Sequence, residues 1–461
     1  MIAWIAIVII VGLILFAQGS GLLARPTETS DPLNPILEIQ ARYLVGTSTI
    51  PGLAGENLRE QVDQLFGHGP LRQQLLGAVL IGELVSANAA EQSLNVLLAK
   101  LAIDQVQAEP HDTEVLETLR RIQGERLELR DVASMLKREG QQKSVAQLEK
   151  RLGWVGKLAQ VPPGTTDQVR RDRALGQARN TLLAIVGVFA IGCFAITCGL
   201  MLQVLWWIFV ATGRVQSGID SLRGNSGLYA ETFAVWLVLL VVLEALVLWL
   251  PLPKLGLIWM LIPQAGSLAA LGWPVLRGLR WRDVCEDLGL RWEPQSWLSP
   301  FIGLGAYLCA LPMVVVAMLF TLLMMAIVSQ FIPGDGSVAG PMHPVAEPIL
   351  HGSWTIRLQL LFLVVFAAIP EEIMFRGVLY RHLREASSWF GDIGRVIFAT
   401  AVNSLIFAAI HPQGIFGIPL LMSLAIVFSV VREWRGSLVP SMIAHALVNA
   451  GTTSILLLIG D

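Results

Sequence analysis

Cysteine is scarce. The 461-residue chain has four, Cys193, Cys198, Cys285 and Cys309, with no Cys-x-x-Cys pair and no Cys/His spacing of the metal-binding kind. Cys193 and Cys198 stand five apart in one apolar run, a spacing that turns them to different faces of a helix. Neither a disulfide framework nor dithiol redox chemistry is indicated, and the four read as small apolar fillers. Charge is scarce too: Asp, Glu, Lys and Arg make up 15% of the chain, against roughly 25% in soluble domains. A net charge of −2 gives no whole-chain case for binding nucleic acid. No Lys or Arg precedes the first apolar run, residues 2–18, and no small-x-small site follows it cleanly. That run is therefore read as an uncleaved anchor and not as a cleaved secretion signal. What is abundant is apolar: 54% hydrophobic residues and a mean hydropathy of +0.62. These values describe a membrane protein with some soluble mass attached.

Composition divides the chain. After the anchor, assigned to residues 1–24, the stretch 25–179 carries 19 Lys/Arg and 20 Asp/Glu. Its apolar residues recur at helical spacing: Leu71, Leu75, Leu76, Val79, Leu80, then Leu94, Leu97, Leu98, Leu101. Ser86-Ala87-Asn88 reads as a turn between antiparallel helices and Pro110-His111-Asp112 as a break before a third. Residues 114–151 continue as charged amphipathic helix, and Val161-Pro-Pro-Gly164 closes the region. It is read as an α-helical soluble domain of open role, without a fixed repeat period.

From Asn180 onward apolar runs occur at about 181–211, 232–250, 255–273, 300–331, 356–380, 395–411, 415–431 and 438–459. Each is near or above the ~17 residues needed to cross a bilayer, although Pro263 interrupts the third of these runs. The expected fold class is thus all-α, a polytopic transmembrane bundle of about 8–9 spans with an N-terminal α-helical soluble domain. Residues 180–274 supply additional transmembrane helices, and 275–461 a C-terminal core. The Arg277–Trp292 stretch mixes arginines with tryptophans and suits a surface-lying interfacial segment. One side of the bundle gathers Arg214, Arg223, Arg277, Arg280, Arg282, Arg291, Arg381, Arg384, Arg395, Arg432 and Arg435, while the other has only Lys254 and Arg357. The positive-inside rule places the arginine-rich side in the cytoplasm. Counting back through nine spans puts residues 25–179 outside it.

Three polar motifs interrupt the last spans. Pro370-Glu371-Glu372-Ile-Met-Phe-Arg376-Gly377 sets two carboxylates and an arginine inside an apolar helix, where ionisable groups are costly and mark a functional site by default. Glu372 and Arg376 share a face, acid first, as an ion pair prefers. Glu371 is turned about 100° away and needs another partner. Pro370 deletes one helical hydrogen bond and is a place for a kink. Phe407 and His411 repeat the four-residue spacing, so the phenyl ring restricts the imidazole, and His445 and Asn449 do so again with two donors. At about 1.5 Å per residue, Glu371 lies roughly 15 Å in from Arg381, and His445 and Asn449 roughly 10 to 20 Å in from Arg435. His411 lies roughly 24 Å from Arg395 and converges only if its helix is tilted or starts deeper. Each motif alone also fits a structural role, as an ion pair, a helix cap or an interhelical contact.

In that order, on separate spans, the three motifs resemble those of the CAAX-processing and bacteriocin-processing (CPBP, or Abi) intramembrane proteases, which include the type II prenyl-protein endopeptidases. The resemblance covers about residues 275–461; residues 25–179 lie outside it. It implies an intramembrane endopeptidase without a cofactor. Glu371 and His411 would activate a water for attack on a peptide carbonyl. His445 and Asn449 would donate to the oxyanion, and Glu372, Arg376 and Phe407 would support the site. The implied partners are a membrane-associated protein or peptide, lipidated or not, and the bilayer. In a bacterium the setting would be the plasma or inner membrane, with the site opening toward the cytoplasm. Two alternatives stand beside it: Glu371, His411 and His445 as ligands of a catalytic zinc, though no His-Glu-x-x-His pairing occurs, and a non-catalytic membrane scaffold or immunity-type protein.

Overall fold

The computed structural model describes residues 2–19, 35–51, 57–103, 111–128, 132, 136, 142–220, 226–250, 259–290, 296–331, 349 and 352–460. Among them there is no strand. The chain forms two compact units, Thr27–Phe189 with Leu458–Asp461, and Met1–Pro26 with Ala190–Leu457. Helix α1 (Ile2–Gly19) opens the second of these, the membrane unit.

The smaller unit is built from α2 (Pro35–Ser48), α3 (Leu58–Phe66), α4 (Leu71–Leu84), α5 (Ala87–Ala102), α6 (Asp112–Leu127) and α7 (Gln142–Ala159). Helix α4 is its centre: it packs against α3, α5, α2, α7 and α6, and Leu71 to Gly82 is buried almost throughout. The leucine pattern marks this core. Leu71, Leu75, Leu76, Val79, Leu80, Leu94 and Leu97 are buried in one cluster, with Leu98 and Leu101 packed at its edge. The turn falls at Ser86, whose hydroxyl accepts from the Ala89 N–H and caps α5. Two ion pairs tie distant helices: Arg151 to Asp112 at 2.6 Å, and Arg171 to Glu83 at 2.6 Å. The amphipathic stretch expected at 114–151 resolves into α6 and α7; residues 129–131, 133–135 and 137–141 lie outside the described residues.

Helix α8 (Gln168–Ala211) is a single 44-residue helix whose residues are shared between the units. The membrane unit continues with α9 (Gly227–Trp249), α10 (Leu261–Ser267), α11 (Gly272–Leu276), α12 (Trp281–Leu288), α13 (Ser299–Ser329), α14 (Trp354–Glu372), α15 (Tyr380–Ala386), α16 (Gly391–Ile410), α17 (Ile418–Arg435) and α18 (Val439–Gly460). Among the described residues, six helical segments are long and apolar enough to cross a membrane, and Ile2–Phe16 and Leu261–Leu276 are shorter apolar ones. The protein is an integral, multi-pass, all-helical membrane bundle. Of the run expected to span at 255–273, residues 255–258 lie outside the described residues; the rest belongs to a continuous apolar helical stretch in which α10, a 3₁₀ turn at Leu268–Leu271 and α11 follow one another, with Pro263 and Pro274 inside it. Arg277–Trp292 contains the short amphipathic helix α12, which turns Val284 and Leu288 inward and Arg280 and Arg282 outward; residues 291 and 292 lie outside the described residues.

Helices approach closely where a glycine removes the side chain. A Cβ on Gly303 of α13 would stand 2.7 Å from Ile443 of α18, and one on Gly199 of α8 would collide with the Leu308 carbonyl of α13. Small residues at crossings are how membrane helices gain contact when lipid is as apolar as their side chains. The interior of the unit joins α9, α12, α14 to α17 and α1 around Phe375, Phe407, Tyr229 and Trp236.

Candidate active site

Ser353 caps α14 by accepting from the Ile356 N–H, and from Leu360 the helix runs apolar to Pro370. Pro370 has no N–H to give the ladder. Three residues later the ladder changes register: Ile373–Leu379 is a π-helix. Such turns insert an extra residue into the repeat and are frequent at functional sites. They rotate the residues that follow them relative to an unbroken α-helix.

Glu372 and Arg376 form the expected pair, Nη1 to Oε1 at 2.9 Å, with both side chains fully buried. The guanidinium also donates to the Ala425 carbonyl of α17 at 3.4 Å. It lies 4.5 Å from the Phe407 ring centre, 5.2 Å from that of Phe428 and 5.9 Å from that of Phe375. Aromatic faces are among the few apolar surfaces that compensate a desolvated cation.

Glu371 faces elsewhere. Its Oε2 is 3.6 Å from His411 Nε2 and 3.6 Å from His445 Nε2. That is beyond a direct hydrogen bond. The histidine protons are fixed by their other contacts. His411 Nδ1 lies 2.6 Å from the Phe407 carbonyl, and His445 Nδ1 lies 3.0 Å from Glu372 Oε1. A carbonyl and an arginine-paired carboxylate only accept, so each Nδ1 carries hydrogen. Both Nε2 atoms are therefore the free valences, and both converge on one carboxylate oxygen.

Rings hold these imidazoles in place. Phe407 lies 4.2 Å from the His411 ring and 5.8 Å from the His445 ring, while Phe428 stacks on His445 at 5.1 Å. Glu371, Glu372, Arg376, Phe407, His411 and His445 thus form one connected cluster. Asn449 is a turn further along α18, its Nδ2 bonded at 2.8 Å to the Val364 carbonyl two turns before Glu371. One of its amide hydrogens is engaged there and one is left over. Among the described residues, no group of three or more His, Cys, Asp and Glu is arranged to hold a metal ion.

His411 does converge, although its distance along the helix from Arg395 made it the awkward member. Glu371 and His445 are each ten residues from Arg381 and Arg435, whereas His411 is sixteen from Arg395. Arg395 therefore sits about 9 Å further from the site along α16 than Arg381 does from Glu371, while Arg435 ends α17 and His445 lies on the next helix, α18. The arginines counted as loop charge also divide: Arg381, Arg384 and Arg432 are buried. Glu433 accepts from Arg384 Nε at 2.9 Å and from the Tyr380 hydroxyl at 3.0 Å, and Arg384 Nη2 donates to Ser217 Oγ at 3.0 Å. This buried network, and the link from Glu372 to His445, have no local signature. Glu433 stands 49 residues from Arg384, so no helical spacing connects them.

The segment that holds this cluster is similar to a CAAX-type membrane endopeptidase. Residues 353–451 match the family model described as Rce1-like, type II CAAX prenyl endopeptidase Rce1-like. All three motifs fall within the match; the Arg277–Trp292 stretch does not, so it covers less than residues 275–461. No curated protein and no solved structure matches the chain.

Proposed function

We propose that the protein is an intramembrane endopeptidase that hydrolyses a peptide bond in a membrane-associated, C-terminally prenylated protein. The observation that carries this reading is the convergence of the two free Nε2 atoms on Glu371 Oε2, each at 3.6 Å. Water bound beside Glu371 and His411 gives its proton to this pair as its oxygen attacks the peptide carbonyl. General bases of this kind contribute about 10²- to 10⁴-fold. The tetrahedral oxyanion is met by His445 Nε2 and by the remaining Asn449 amide hydrogen. Because His445 Nδ1–H is committed to Glu372, donation from Nε2 requires the imidazolium. Glu371 and Glu372 against Arg376 leave one negative charge for that imidazolium to balance. When the C–N bond breaks, the proton taken from water passes to the departing amine, so water is consumed and no group is left on the protein. The arginine-rich side faces the cytoplasm, from which the substrate enters.

No step is assigned to a metal, and activity is expected to survive exhaustive chelation; its loss on chelation and return with zinc would favour the alternative in which Glu371, His411 and His445 are ligands. The test of substrate class is comparative proteomics of cells carrying the wild type or Glu371→Ala. Uncleaved, prenylated membrane precursors should accumulate in the variant. Identical precursor profiles would count against the proposal and for a scaffold role.

A further inference from the structure

Helix α1 lies outside the matched segment, yet it belongs to the same compact unit and packs against α9 and α16. Its inward stripe is Ala3, Trp4, Ile7, Ile10 and Val11, set against the cluster that contains Phe375 and Phe407. Ile2, Val8, Leu13 and Phe16 face outward. Polar groups mark both ends of the stripe. Near the start, Trp4 Nε1–H donates to His382 Nε2 at 3.0 Å, and His382 Nδ1 lies 2.8 Å from the Ser226 carbonyl. At the far end, Gln18 Nε2 donates to the His411 carbonyl at 2.9 Å. Fourteen residues separate Trp4 from Gln18, nearly four whole turns and about 21 Å, so one face of the helix reaches both contacts.

The second contact falls where the site most needs support. His411 is the residue just past α16, in extended conformation with φ −78° and ψ 144°. Carbonyls at a helix C-terminus have no partner within the helix. The ring is held at Nδ1 by Phe407, but where Nε2 points depends on the backbone of His411 staying fixed. Gln18 is the side chain that fixes it.

We infer that α1 is a working part of the active site, with Gln18 a positioning residue that holds the His411 backbone and so aims its imidazole at Glu371. The inference rests on the proteolytic reading for its consequence in catalysis, and on geometry alone for the contact.

The test uses the full chain in lipid nanodiscs. Gln18→Met keeps the length and removes the donor; Gln18→His restores a donor of similar reach. Gln18→Met should lower kcat about tenfold with KM within about twofold, the loss of one hydrogen bond's worth of positioning, and Gln18→His should recover most of it. The activity-independent readout is diethyl pyrocarbonate modification of His411 followed by mass spectrometry. Gln18→Met should change that rate several-fold while leaving His445 unchanged, and the melting temperature should move little. Wild-type kcat and a wild-type His411 modification rate in Gln18→Met would overturn the inference. If Glu371→Gln cleaved as well as wild type, the proteolytic reading would fall, and the His411 rate would still decide the Gln18 contact.

Discussion

The two units of this chain differ in which residue type marks the interior. In the Thr27–Phe189 unit, leucines, valines and isoleucines fill the interior, and apolar periodicity marks what is inside. In the membrane unit, Phe194, Trp207, Phe301 and Phe320 are exposed, whereas Glu372, Arg376, Arg384 and Arg432 are all but completely buried. Apolar pattern there marks nothing, because both lipid and core are apolar. Charge is the informative residue type, since each buried ion needs a partner that justifies its desolvation. Both units do use ion pairs to join helices, but with different exposure. Arg151–Asp112 and Arg171–Glu83 keep a small part of the arginine in solvent, while Glu372–Arg376 has none.

Breaking one pair in each unit sharpens that comparison. The largest expected effect is Arg376→Met, which leaves Glu372 buried with no guanidinium. It should cost about 3–5 kcal/mol, seen as a lower denaturation midpoint in detergent titration, and should abolish cleavage. Adding Glu372→Gln should return most of the stability without returning activity, because His445 no longer faces a carboxylate at Nδ1. In the Thr27–Phe189 unit, Arg151→Met deprives the buried Asp112 of its partner and should cost about 3 kcal/mol. Limited proteolysis should then cut within residues 27–189 sooner, with cleavage of substrate by the membrane unit within about twofold of wild type. The smallest effect is Ser86→Ala, which removes the cap of α5 and should cost about 1 kcal/mol by thermal unfolding.

Legibility in the sequence splits along the same line. The α4 and α5 core could be read from Leu71 through Leu97 because its leucines recur at helical spacing, although only α5 has one wet and one dry face and α4 is buried almost throughout. The Glu372–Arg376 pair, the Phe407–His411 contact and the separation of Glu371 from Glu372 could be read because four-residue spacing operates within one helix. The contact of His445 with Glu372, the hold of Gln18 on His411 and the Tyr380–Arg384–Glu433 network could not. They join segments between 49 and 393 residues apart, and spacing says nothing about such pairs. The π-helix had a partial sign in Pro370, enough to expect a disturbance but not its form. In the run expected at 255–273, the described part changes from α to 3₁₀ and back between Pro263 and Pro274, a detail that apolar length alone does not show.

The most direct measurement of the central claim is single-turnover cleavage of a prenylated CAAX peptide by purified protein in nanodiscs, wild type against Glu371→Gln. The account predicts that the wild type cleaves, and that Glu371→Gln is slower by at least about a hundredfold at an unchanged melting temperature. Equal rates in the two proteins would contradict it.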